Sequence, residues 1–418
     1  MAPGKSTVSM IFLTGFAVFL LFAFFMIGFK LVKPLTDPRW YLNEKKNTAD
    51  IIDFFQYYQA SDLAHSSQSK QVYEPEVQKQ WTRALISPYK TEKIFYNQQP
   101  PVSYVLLWPL SLLPANISYF LFCLGQLIFG GFCLNLLTRL GPLDKQGRAF
   151  FIAGVIASFP SYILIWHGNT TYWFLGLLAL TIFLLYQQKD FWAGFTLALA
   201  MFKPQYLFPL ITPIAAMKRY RAIFGLVAME ALLLLLAIPI IGLDNLINYP
   251  SIVLSAESNP DFIGVNANKM LSVRGLFAQF VSTKMSLELA AATMFLSLPL
   301  LFIIVKKVTL NPSPDKLRWL WAFSICLMVL VSPHSHLFDF LLLSTAAALT
   351  LPTVSISDIE KLPVSLRFWT ILWIIFPPAS WIANYTIGKD LAPVFFFFPY
   401  TLVLFLVSAL RLKEETAR

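Results

Sequence analysis

Ten stretches of this sequence stay apolar for roughly twenty residues at a time, the length an α-helix needs to cross about 30 Å of hydrocarbon. They lie near 8–32, 117–139, 149–166, 170–187, 221–243, 286–306, 318–333, 337–352, 367–385 and 392–410, each bounded by polar or charged residues. Charged residues make up 13% of the 418 and hydrophobic ones 57%. A soluble domain carries roughly 25% charged residues, so a fold this poor in charge could not cover its own surface in water. A soluble globular enzyme is therefore excluded, as is a disordered or collagen-like chain. The expected fold is all-α: one polytopic integral membrane domain over residues 1–418, with about ten full transmembrane helices plus short re-entrant or interfacial helices.

The net charge of +10 would suggest a nucleic-acid partner if it were clustered, but it is distributed. Threading the ten spans from a cytoplasmic N-terminus places sixteen basic residues between Arg139 and Arg418 on short inside segments. Only Lys269, Arg274, Lys284 and Lys389 fall on short outside ones. This is the positive-inside pattern. It predicts both termini in the cytoplasm of a multi-pass protein of the plasma (cell inner) membrane, with anionic membrane lipids as partners and no nucleic acid. No small-residue cleavage pattern follows the first run, so it reads as a retained helix. Cys123, Cys133 and Cys326 all sit inside apolar runs without a CxxC pair, which argues against a disulfide framework or a zinc site. No cofactor is expected, and a divalent metal is not indicated.

Two apolar stretches break the alternation if counted as spans. Gln99–Pro114 is short and holds four prolines, so it reads as a short helix in the outer leaflet. Phe191–Met217 has cationic flanks at both ends and a Lys203-Pro204 break near its middle. It reads as a broken hairpin that enters and leaves on one side, and such a break is tolerated only beside protein or a wet cavity. Counting both as full crossings is the alternative, and it preserves the final orientation.

Two outside loops stand apart. Residues 34–98 hold eight of the chain's 22 acidic residues. Within them Ile51, Phe54, Phe55 and Tyr58 form an i, i+3, i+4, i+7 stripe, which predicts an amphipathic helix lying on the membrane. Asp50 and Asp53 sit at its start, where an acid can be no more than a favourable first-turn charge. The second loop, 244–271, leads into Asn266-Ala267-Asn268-Lys269 and then Arg274; a lone Arg there can simply snorkel. Ionisable groups at membrane depth are functional candidates by default: Lys203, His334, His336 and Asp339 qualify, the last three within Ser332–Asp339. Spacing alone sets no metal site among them.

In order along the chain, Asp53-Phe54-Phe55-Gln56-Tyr57-Tyr58-Gln59-Ala60, Phe95-Tyr96-Asn97-Gln98-Gln99-Pro100-Pro101, the His167-Gly168-Asn169 turn, Phe202-Lys203-Pro204, Asn266 to Gly275-Leu276 and Ser332-Pro333-His334 resemble glycosyltransferase family 87. These are polyprenol-phosphate-mannose-dependent α-mannosyltransferases of the GT-C membrane class, and the resemblance runs over roughly residues 8–345. It implies transfer of a hexose, mannose in the family, from a polyprenyl-phosphate-linked sugar donor to a lipid or glycan acceptor on the extracytoplasmic face, in cell-envelope assembly. It implies Asp53 as the catalytic base and Lys203, Arg274 and His334 as ligands of the donor phosphate. Tyr57, Tyr96, Asn169, Asn266, His336 and Asp339 would contact sugar or acceptor. The rival reading is a secondary transporter or flippase for lipid-linked sugars, using the Lys203 break and the His334/Asp339 pair. Transporters commonly carry two related halves, and no internal repeat is visible here.

Overall fold

Six of the apolar runs fold as helices of 22 to 27 residues: Thr14–Thr36, Ala115–Thr138, Tyr220–Ile241, Thr283–Thr309, Val364–Ile387 and Pro393–Ala417. The structure, a computed structural model, describes residues 3–43, 48–49, 52–89, 96–258, 265–353, 356–388 and 390–417. Asp50, Ile51, Phe95 and Lys389 lie outside the described residues. Apart from a two-residue ladder pairing Leu42–Asn43 with Thr48–Ala49, the described regular structure is helical.

The expected count of ten full spans is not met. Among the described residues a seventh span exists only if Lys145–Ala157 and Phe159–His167 are taken together, and these meet at a 53° bend. Ser158 is extended there, and Pro160 follows in the first turn of the next helix, where it has no N–H to offer the preceding turn. Thr171–Tyr186 has 16 residues, about 24 Å of helix. Leu337–Leu342 is a 3₁₀ turn continued by the eight-residue helix Leu343–Thr350. Pro314–Val331 opens with Asp315, Lys316 and Arg318, leaving a shorter apolar length.

These short helices are apolar because protein, not lipid, surrounds them. Every residue from Trp319 to Ser332 and from Asp339 to Leu351 is buried, and Phe340 stacks on Phe376 with ring centroids 4.3 Å apart. Hydropathy reports that a side chain avoids water and is silent on which apolar phase receives it. The two buried segments flank the Pro333–Phe338 turn and pin it from both ends.

In lipid, helices associate through close van der Waals contact rather than escape from water, which favours small residues at crossings. The Asp190–Leu199 and Tyr220–Ile241 helices cross in this way. A Cβ on Gly194 would lie 1.7 Å from the Ala222 carbonyl oxygen, and one on Gly225 would lie 2.1 Å from that of Phe191. Gly194→Ala must therefore push the two backbones apart, at the cost of about 1–3 kcal/mol or more typical of overpacking. A lowered melting temperature in detergent is the expected result, and an unchanged one would show that the helices do not meet at this glycine.

The Phe191–Met217 stretch is broken where expected: one helix ends at Leu199, a 3₁₀ turn covers Pro204–Tyr206, and a second helix runs Leu207–Ala216. Gln99–Pro114 likewise contains only the short pieces Ser103–Leu106 and Trp108–Leu112. The acidic stretch departs further from expectation. Its Asp53–His65 helix is buried on most sides rather than laid out as a two-faced surface helix, because Phe54 and Phe55 enter an aromatic cluster with Trp40, Tyr41, Tyr119 and Phe122. Lys70 fastens the same stretch to the bundle, donating to the carbonyls of Ile238, Pro239 and Ile240 at the end of the Tyr220–Ile241 helix. There a cation satisfies carbonyls that have no intrahelical partner.

Candidate active site

A cavity of about 830 Å³ opens where the Asp53–His65 helix, the 167–171 turn, the Lys203 break, Glu257, the Asn266–Lys269 segment and the Pro333–Asp339 turn converge. Eight of the ten expected site residues line it: Asp53, Tyr57, Asn169, Lys203, Asn266, His334, His336 and Asp339. Arg274 and Tyr96 are not among the described lining residues. Phe208, Leu254, Leu287, Met294 and Phe295 make one side of the cavity apolar.

Asp53 takes the first position of its helix, after Ile52. Its Oδ2 accepts from Asn169 Nδ2 at 2.8 Å, and its Oδ1 lies 3.7 Å from His167 Nδ1. Burial pushes this carboxyl up, but His167 and then Asn169 outweigh it and hold the group below its ordinary value. Asn169 is oriented unambiguously. Its Oδ1 accepts from the Thr171 backbone N–H at 3.1 Å, a donor that cannot be reversed, so the amide nitrogen must face Asp53. Gly168 makes this possible. Its φ of 63° is left-handed, and a Cβ there would lie 2.7 Å from that of Phe54, so only glycine lets the turn press against the helix that carries Asp53.

Lys203 sits in the gap between the two half-helices. Its ammonium donates to Thr171 Oγ1 at 2.7 Å and to Asp339 Oδ1, with Asn169 Oδ1 at 3.5 Å. Asp339 Oδ2 accepts the His336 backbone N–H at 3.0 Å, so both oxygens of this carboxylate are engaged. Lys203 thus shares its protons with the protein and acts on the cavity through its charge.

Glu257 is the residue that sequence reasoning missed. It lies near the end of the Leu243–Ser258 helix and lines the cavity. Its Oε1 is 2.8 Å from His334 Nδ1, and its Oε2 accepts from Arg274. Burial would raise this carboxyl, but His334 and then Arg274 bring it down to about 2. Arg274 is fully buried. It also donates to the carbonyls of Pro333 and Glu257, each at 2.7 Å, clamping three segments together from behind the cavity wall. Burial, followed by the neighbouring His334, pushes His336 down to about 4, so its imidazole enters the site neutral. Asn266 is exposed with a φ of 35°, a left-handed backbone that Asn tolerates better than most residues. Tyr96 is half-buried beside the segment outside the described residues.

Of the four carboxylates that line the cavity among the described residues, Asp339 is neutralised by Lys203, Glu257 by Arg274 and Asp390 by Lys269. Asp53 has only an amide and an imidazole beside it. It is the one of the four with no Lys or Arg partner, in a cavity whose other walls carry cations and an apolar face. Such a cavity within a bundle of long apolar helices fits a membrane enzyme of group transfer. The chain belongs to glycosyltransferase family 87, whose profile matches residues 98–333, and it is a glycosyltransferase. Asn169, Lys203, Asn266 and Arg274 fall inside the matched stretch, while Asp53 lies before it and His336 and Asp339 after it. No curated protein and no solved structure matches the chain.

Proposed function

We propose that this glycosyltransferase moves a hexose, mannose, from a polyprenyl-phosphate donor to a hydroxyl of a lipid or glycan acceptor on the extracytoplasmic face of the plasma membrane. The observation that carries the reading is the division of labour among the cavity carboxylates: one acid without a Lys or Arg partner, Asp53, and three, Asp339, Glu257 and Asp390, held by cations. Asp53 takes the acceptor proton as general base. The acceptor oxygen attacks the anomeric carbon, and the bond to the phosphate oxygen breaks with its electron pair. Lys203 and His334 stand where fixed positive charge and hydrogen-bond donation would stabilise the departing phosphate. The apolar wall at Phe208, Leu254, Leu287, Met294 and Phe295 suits the first units of a prenyl chain. Tyr57, Asn169, Asn266 and His336 are left to hold sugar and acceptor.

The purified chain, incubated with radiolabelled polyprenyl-phosphate mannose and a membrane glycolipid extract, is expected to move label onto the acceptor. Label that moves only from a nucleotide sugar would overturn the donor assignment. Single cysteines at Ser87 and Lys316 should label from opposite sides of the membrane, and labelling from one side would overturn the orientation. Background is expected to be low, because Cys123, Cys133 and Cys326 are all buried.

A further inference from the structure

His167 takes no part in the transfer step itself, yet it stands against the proposed base. Its Nδ1 lies 3.7 Å from Asp53 Oδ1, and its side chain is 38% exposed against 18% for Asp53. That separation is one small rotation or one water from a hydrogen bond, and such contacts commonly tighten only when substrates bind. The ring is the last side chain of the Phe159–His167 helix, and Gly168 sets its direction by turning the chain immediately after it. Resting on the reading of Asp53 as base, we propose that His167 is the proton exit of the reaction: it takes from Asp53 the proton that Asp53 took from the acceptor, and passes it to water.

The steps balance. The acceptor O–H bond breaks as its oxygen bonds to the anomeric carbon, and the proton comes to rest on the Asp53 carboxyl. The electron pair of the cleaved carbon–oxygen bond leaves with the phosphate. The Asp53 O–H bond then breaks as an N–H bond forms at Nδ1 of a neutral imidazole, and the imidazolium gives a proton to water. The enzyme returns to its starting charge.

Two features favour this route over direct discharge from Asp53. Asp53 and His167 both line the cavity that donor and acceptor would occupy, and His167 is the more exposed of the two, so it keeps the better access to water when the proton must leave. Asn169 also donates to its carboxylate at 2.8 Å, which favours the ionised form, so once protonated Asp53 is a ready donor, and imidazole is the stronger base of the two classes. The charged and titratable groups around the pair belong elsewhere. Tyr57 on the same helix lies near Asn169, His336 lines the same cavity, Asp339 is held by Lys203, and Lys30 lies over the neighbouring Trp166 ring.

The test uses the full chain in lipid nanodiscs with radiolabelled polyprenyl-phosphate mannose and the acceptor extract. His167→Gln keeps a side chain that can hydrogen-bond Asp53 but cannot carry the proton. It should lower kcat by about tenfold or more, toward the range of a lost acid–base group, with the donor KM unchanged. His167→Ala should lose the same activity and recover it as free imidazole is added, while the unsubstituted protein does not respond. Wild-type kcat in His167→Gln, or a loss in His167→Ala that imidazole does not restore, overturns the relay. Asp53→Asn is measured alongside: full turnover in that variant removes the base itself, whereas a dead Asp53→Asn beside a fully active His167→Gln removes only the exit.

Discussion

Asp53→Asn should abolish sugar transfer, lowering turnover by about 10²–10⁴-fold, the range expected for removal of a general base. The argument rests on what the substitution leaves alone. Phe54 and Phe55, which anchor the helix in its aromatic cluster, are untouched, and the side-chain carbonyl of the substituted amide can still accept from Asn169. Expression and melting temperature should stay near those of the parent protein, so the loss belongs to the chemistry. The direction of the Asp53 shift matters here too: a carboxyl held below its ordinary value is ionised at neutral pH, so the substitution removes a base that is present. Transfer at the parent rate in membranes carrying Asp53→Asn would sink the assignment, and Glu257 would be the next carboxylate to examine.

The elements of the site were legible to different degrees, for physical reasons. Lys203 and the His334–Asp339 turn stand out because an ionisable group at membrane depth is costly unless something uses it, whereas Asp53, Asn169 and Asn266 are marked by the resemblance to family 87. Their convergence on one cavity follows from packing that no spacing reports. Glu257 gave no such signal: it closes a helix in a polar loop, where a glutamate is ordinary, and only the fold carries it to Arg274 and His334. Arg274 was visible as an unusual interfacial cation, but its role behind the wall depends on that hidden partner. The stripe at Phe54, Phe55 and Tyr58 was real, and its burial against Trp40 and Tyr119 instead of lipid was not decided by periodicity. The same ambiguity inflated the span count at Trp319–Val331 and Leu337–Thr350, which are apolar on every side because the bundle encloses them.

Removing Lys203 alone should cost the fold before it reveals anything about the reaction. Asp339 is 1% exposed, and its cation is Lys203. Taking one partner from a buried ion pair typically costs about 3–5 kcal/mol, because the remaining charge stays in a poor solvent. Against a whole-protein stability of roughly 5–15 kcal/mol, that is a large fraction. Lys203→Met should therefore express poorly and melt early, and its low activity would carry no mechanistic information. Adding Asp339→Asn removes the stranded charge while leaving an amide to meet Thr171 and the His336 backbone N–H. The double variant should regain most of the melting temperature. If Lys203 supplies the fixed charge for the departing phosphate, transfer should remain depressed in that refolded protein, since no ammonium replaces it on the cavity wall. Parent-like melting of Lys203→Met would show that the pair does not hold the Lys203 break against the turn that carries Asp339. A double variant with the parent's dependence on donor concentration and the parent's kcat would assign Lys203 to structure alone and leave His334 as the phosphate's partner.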